Sequence, residues 1–160
     1  MRLLSCLALL VCLASTPAVK ADETVKKIRV ILIDGQNNHN WRATTPWLKK
    51  LLEQSGRFTV DVSSNLKSGD KPGNVPDTVP FPPDLTKYNV LLSNYNGAPW
   101  PKEFNQKVEE LVSAGKLHLS IVHAANNAFS GWAEFNLMIG MGWRGNNFGA
   151  RLTIDKEGKE

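Results

Sequence analysis

The chain has 160 residues, 42% of them hydrophobic and 21% charged, with 19 Lys and Arg against 15 Asp and Glu. A formal charge of +4 is small for this length and gives no electrostatic case for nucleic acid or a membrane surface as partner. The two cysteines, Cys6 and Cys12, both fall in the first 21 residues, so beyond them disulfides, thiolate nucleophiles and cysteine metal sites are excluded.

Residues 1–21 have the layout of a secretory signal peptide: Arg2, an apolar run from Leu3 to Ala14, and a small-x-small site at Val19-Lys20-Ala21. The apolar run is shorter than the roughly 20 residues a membrane-spanning helix needs. Cleavage there removes Arg2 and Lys20 and lowers the formal charge to +2. The expected product is a secreted or periplasmic protein, free of the membrane after cleavage, with one α/β domain over residues 27–160.

Ile28 to Ile33 is almost wholly apolar and β-branched, as in a strand buried on both faces. Thr45 as N-cap and Pro46 at the first helical position predict a helix whose apolar stripe is Trp47, Leu48, Leu51 and Leu52, ended by Gly56. Phe58 to Val62 alternates as a second strand, completing a βαβ unit. Residues 67–83 carry five of the nine prolines and read as a long surface loop. Tyr88 to Ser93 is a third strand. A helix from Pro101 to Ala114, with Phe104, Val108, Leu111 and Val112 inward, leads to a fourth strand from Leu117 to Val122. His118 in that strand reads as a half-buried, hydrogen-bonded residue. Trp132, Phe135, Met138 and Ile139 have helical spacing up to Gly140, and Arg151 to Ile154 can form a further strand. This alternation predicts a flavodoxin-like, doubly wound, mainly parallel sheet with helices on both faces. The polar stretch from Asp155 to Glu160 neither caps a helix nor closes a sheet, so the domain is expected to be incomplete at that end, as in a fragment.

Three of the strands end in small polar residues: Asp34-Gly35-Gln36-Asn37-Asn38-His39-Asn40-Trp41, Ser93-Asn94-Tyr95-Asn96-Gly97, and His123-Ala124-Ala125-Asn126-Asn127. In a parallel sheet these bursts meet at the carboxyl edge, where open α/β sheets bind ligands. His39 and His123 are candidate proton-transfer groups, and Asp34 could contact substrate hydroxyls, orient His39 or cap a turn. Gln36, Asn37, Asn38, Asn94, Asn96, Asn126 and Asn127 offer paired donors and acceptors suited to neutral hydroxylated ligands. Trp41, Tyr95, Trp100 and Trp132 could present flat faces to a sugar ring. The alternative is that the asparagines serve turns and the aromatics fill the core. Arg144 could bind an anion or anchor a loop. Two histidines do not make a metal site, so neither metal nor cofactor is expected. No phosphate-loop spacing is present.

Val30 to Trp41, Ser93 to Gly97 and Val122 to Phe129, with Trp132 downstream, resemble the ThuA-like (trehalose-utilisation) family over about residues 27–150. The resemblance implies a fold related to class I glutamine amidotransferases and an association with sugar metabolism. Amidotransferases of that fold place a cysteine on the turn after a central strand. The matching turn here is His123-Ala124-Ala125, which excludes glutamine hydrolysis by that route. Family members usually continue well beyond this length, with further histidines and acids near the same edge. The expectation is an exported domain that acts on or binds a saccharide-like small molecule. The alternatives are a non-catalytic sugar-binding or interaction module and an inactive truncated family member. Glycosidases usually need two carboxylates; Asp34 is the one strand-end acid, which counts against independent glycoside hydrolysis.

Overall fold

The computed structural model describes residues 26–143 and 155–159. The expected signal peptide with Cys6 and Cys12, Arg144, and the possible strand from Arg151 to Ile154 lie outside the described residues. Four strands, β1 (Ile28–Asp34), β2 (Phe58–Ser64), β3 (Val90–Ser93) and β4 (His118–Ile121), form one sheet in the order β2-β1-β3-β4. Every pairing is parallel, with Leu32 opposite both Val62 and Leu92 at the centre. Helices α1 (Trp41–Gln54), α2 (Lys102–Ser113) and α3 (Ala133–Ile139) connect and cover it.

Alternation along β1 divides the core. Val30 and Leu32 face a cluster with Val60, Leu92 and the half-buried Leu48 and Leu52 of α1. Ile31 and Ile33 face the other way, into a larger cluster with Phe104, Val108 and Leu111 of α2 and Phe135 of α3. One helix on one face and two on the other make the sheet doubly wound, the predicted flavodoxin-like α/β architecture. Each fully buried aliphatic side chain in these layers stabilises by ~1.5–3 kcal/mol. Among the described residues no helix is long and apolar enough to cross a membrane.

Helix α1 departs from the sequence expectation. It begins five residues earlier, at Trp41, capped by Asn40, whose side-chain Oδ1 accepts from the Ala43 amide at 3.3 Å. Thr45 is therefore inside the helix, and Pro46 removes the amide that would bond the Arg42 carbonyl. The structure replaces that bond: Asn74, in the long loop, donates its Nδ2 to the Arg42 carbonyl at 2.9 Å. The inward face is Trp41, Thr45, Leu48 and Leu52, whereas Trp47 is 70% and Leu51 64% exposed. The expected stripe chose apolar residues by hydropathy, but helix phase puts Thr45 over the buried end of β1.

His118 is another correction. Strand β4 is the edge strand among the described residues, and its outer positions His118 and Ser120 are exposed. The remaining elements fall within a few residues of their expected positions, and Gly140 ends α3 at φ 74°.

Candidate functional site

The three polar bursts do meet. The segments after β1, β3 and β4 lie together at the carboxyl edge, and side chains bridge them. Asn96 Nδ2 donates to Asn38 Oδ1 at 3.0 Å, and Asn37 Nδ2 donates to the Asn94 carbonyl at 3.1 Å. The His39 and His123 rings stand edge to face with centroids 4.6 Å apart and planes at 65°.

Several expected ligand-binding residues also serve as framework. Gln36 is buried; its Nε2 donates to the Asn65 carbonyl at 3.1 Å and its Oε1 accepts from the Ala98 amide at 3.0 Å. Both ends of the amide therefore tie the loops after β2 and β3 to the end of β1. Gly35 and Gly97 permit this closeness. A Cβ at Gly35, whose φ is +114°, would lie 2.5 Å from the Asn65 carbonyl oxygen, and one at Gly97 would overlap the Gln36 side chain. Asn94 is buried and donates to Thr44 Oγ1 at 2.9 Å and Thr45 Oγ1 at 3.2 Å. Asn37 spans the gap between Asn94 and the His39 amide, from which its Oδ1 accepts at 2.9 Å. These amides are spent because a buried polar group without a partner is costly.

The aromatic candidates follow the same course. Tyr95 is fully buried, its hydroxyl donating to the Ala98 carbonyl at 2.7 Å and accepting from Asn65 Nδ2 at 2.9 Å. Burial pushes the phenol up to about 12, against the Asn65 hydrogen bond. Trp100 and Trp132 belong to the core cluster, and Trp41 is buried at the start of α1. The faces of Trp100 and Trp132 are spent on packing, whereas Trp41 also lines a pocket over the end of β1. Trp143, which the sequence reading passed over, is 59% exposed at the site and anchored by its amide to the Asn126 carbonyl at 2.8 Å.

Asp34 does not orient His39. It is 1% exposed, and Thr45 Oγ1 donates to its Oδ2 at 2.5 Å. Ser64 Oγ lies 2.6 Å from Asp34 Oδ1 and also 2.6 Å from Asp77 Oδ1. One hydroxyl proton serves only one of these acceptors, so the second contact needs a proton on a carboxyl. Burial pushes the Asp34 carboxyl above its ordinary range, with Asp77 adding to the rise and the Ser64 and Thr45 hydrogen bonds and Arg42 opposing it. Asp34 thus keeps a proton to higher pH than an ordinary aspartate, and it lies beneath the site rather than in it.

Around the two histidines a pocket of about 270 Å³ is lined by Asn38, His39, His123, Asn126, Asn127 and Trp143. His123 occupies the turn directly after β4 with φ 43°, a left-handed conformation that is uncommon outside glycine. The turn projects its exposed side chain toward His39, and the 3₁₀ turn His123–Asn127 follows. Among the described residues no group of three or more His, Cys, Asp or Glu could hold a metal ion.

No family model matches the chain, and no curated protein matches it. A solved structure does: a protein assigned as ThuA-like from Parabacteroides merdae ATCC 43184, at 42% identity and a TM-score of 0.59. The match covers 69% of this chain and 37% of that protein, so the chain spans little more than a third of its neighbour's length.

Proposed function

Over the segment it shares with the Parabacteroides protein this chain belongs to the ThuA-like family, and from that premise we propose that the histidine pocket takes a carbohydrate or glycoside-derived small molecule. The observation that carries the reading is the convergence of His39 and His123, from loops after different strands, with His123 held in a backbone conformation that costs of order 1–3 kcal/mol. Strain of this kind is retained where the surroundings and function hold it. The two imidazoles move protons to and from ligand hydroxyls. Asn38, Asn126 and Asn127 hold those hydroxyls, and the Trp143 ring supplies an apolar face. Export to a secreted or periplasmic location follows from the composition of residues 1–21 and belongs to the same proposal.

The test uses a panel of aryl glucosides and disaccharides. His123→Ala is expected to abolish turnover, and His123→Gly, which relieves the positive φ, to abolish it without lowering the melting temperature. Turnover unchanged by either substitution overturns the catalytic role. A non-catalytic sugar-binding module is the second reading, favoured by the engagement of Asp34 beneath the site, which leaves no strand-end carboxylate pair among the described residues. It predicts that saccharides raise the melting temperature without being consumed.

A further inference from the structure

The histidine pocket has a larger neighbour. A second pocket, of about 600 Å³, is lined by residues that include Gly35, Asn38, Arg42, Lys67, Asp70 and Asn96, and Asn38 lines both. It lies over the ends of β1 and β3, on either side of which the strand order runs in opposite directions. Open α/β sheets bind ligands at such a switch point.

Arg42 is the informative residue. Its guanidinium sits 4.2 Å from the centroid of the Trp41 ring, and two carbonyls hold it: Nε donates to Pro72 at 3.3 Å and Nη2 to Lys71 at 2.5 Å. Stacking and two hydrogen bonds fix the plane of the fork before any ligand arrives, so little side-chain entropy is left to lose. A guanidinium has five N–H donors. Two are used, and the other three have no partner among the described residues. Lys67 adds a second cation to the lining, and its ammonium makes no ion pair among the described residues. The lining acid Asp70 is turned into its own loop, where its Oδ2 accepts from the Lys67 amide at 3.2 Å.

We propose that this pocket is an anion subsite, binding a carboxylate or phosphate group carried by the ligand whose hydroxylated part reaches His39 and His123. Planar forks with spare donors suit both oxyanions, and a fixed fork suits them better than a mobile ammonium. The anion subsite stands on Arg42 and the pocket; only its link to the histidines rests on the function proposed above.

Calorimetric titration of the full chain at low salt separates the two. The probes are inorganic phosphate, acetate, glucose and glucose 6-phosphate. Phosphate or acetate is expected to bind the wild type, and the stronger of the two identifies the anion class. Arg42→Gln is expected to weaken that binding at least tenfold. Because Arg42 also ties down its loop, Lys67→Gln, which breaks no side-chain hydrogen bond seen here, is the second arm and is expected to weaken it several-fold. Glucose 6-phosphate should bind more tightly than either half, and His123→Ala should reduce it to the affinity of phosphate alone. Absence of phosphate and acetate binding, or affinities unchanged in both variants, overturns the anion subsite. Binding that depends on Arg42 while His123→Ala leaves glucose 6-phosphate unaffected keeps the subsite and removes the histidine pocket from the ligand's path.

Discussion

The raised pKa of Asp34 sets the sign of a pH dependence. Its folded-state pKa is raised from the ordinary 3.8, chiefly by burial. The folded protein therefore holds a proton that the unfolded chain releases, and the stability this contributes is complete below the unfolded value. It is lost as pH rises through the folded value. Glu53 runs the opposite way, since its hydrogen bond from Lys49 lowers its pKa, so a single variant isolates the effect better than the wild-type curve. Asparagine reproduces the protonated acid, accepting from Thr45 and donating to Ser64. Urea midpoints measured upward from near the unfolded value are expected to fall in the wild type by a component absent from Asp34→Asn. Parallel curves for the two proteins would place the shared proton elsewhere. Gln36 makes a second prediction at this scale. Truncation to alanine leaves the Ala98 amide and the Asn65 carbonyl without their partner and should cost about 1–3 kcal/mol by chemical denaturation.

Among the elements, α1 shows how a helix tolerates an interior proline when a distant side chain supplies the lost bond. Asn74→Ala is expected to destabilise by about 1 kcal/mol, because the Arg42 carbonyl then has neither its helical donor nor its substitute. In a Pro46→Ala background the same substitution should cost less, since the helix amide is restored, and a double-mutant cycle reads the difference. The phase of α1 is testable as well. Trp47→Gln, at a position 70% exposed, should change stability by no more than about 0.5 kcal/mol. Truncating Leu48, which packs against β1 and β2, should cost clearly more. A large loss at Trp47 would restore the stripe expected from hydropathy alone.

The whole molecule rests the site on its aromatic core. Tyr95, in the loop after β3, stacks on Phe129 at 5.8 Å between centroids, and Phe129 meets Trp100 at 4.6 Å and Phe135 at 5.0 Å. Trp132 closes the group, its indole Nε1 donating to Glu109 Oε1 of α2 at 2.5 Å. The segments that carry Asn96 and His123 are thus held from below by one packed cluster spanning α2 and α3. Phe135 is fully buried at its base, and Phe135→Ala is expected to cost ~3–5 kcal/mol, measured as a shift of the denaturant midpoint.

The sequence by itself determined the α/β alternation, the parallel sheet and the edge at which the polar bursts gather. Those features are written in local periodicity: a continuous apolar β1, helical spacing in α2, and glycines or asparagines where the chain turns. The placement of His39 and His123 at one edge was legible for the same reason, since each lies in a loop that follows a parallel strand. Only the tertiary structure decided which polar residues tie the loops together and which line the histidine pocket. Gln36, Asn37 and Asn94 look no different in sequence from Asn38, Asn126 and Asn127. Their partners are Ala98, Asn94 and Thr45, 62, 57 and 49 positions away. Arg42 and Lys67 were invisible as a pair because the loop after β2 folds back over α1. An amide or a guanidinium has the same chemistry everywhere in a chain, and what it does is set by which distant carbonyl or hydroxyl packing brings within hydrogen-bond distance.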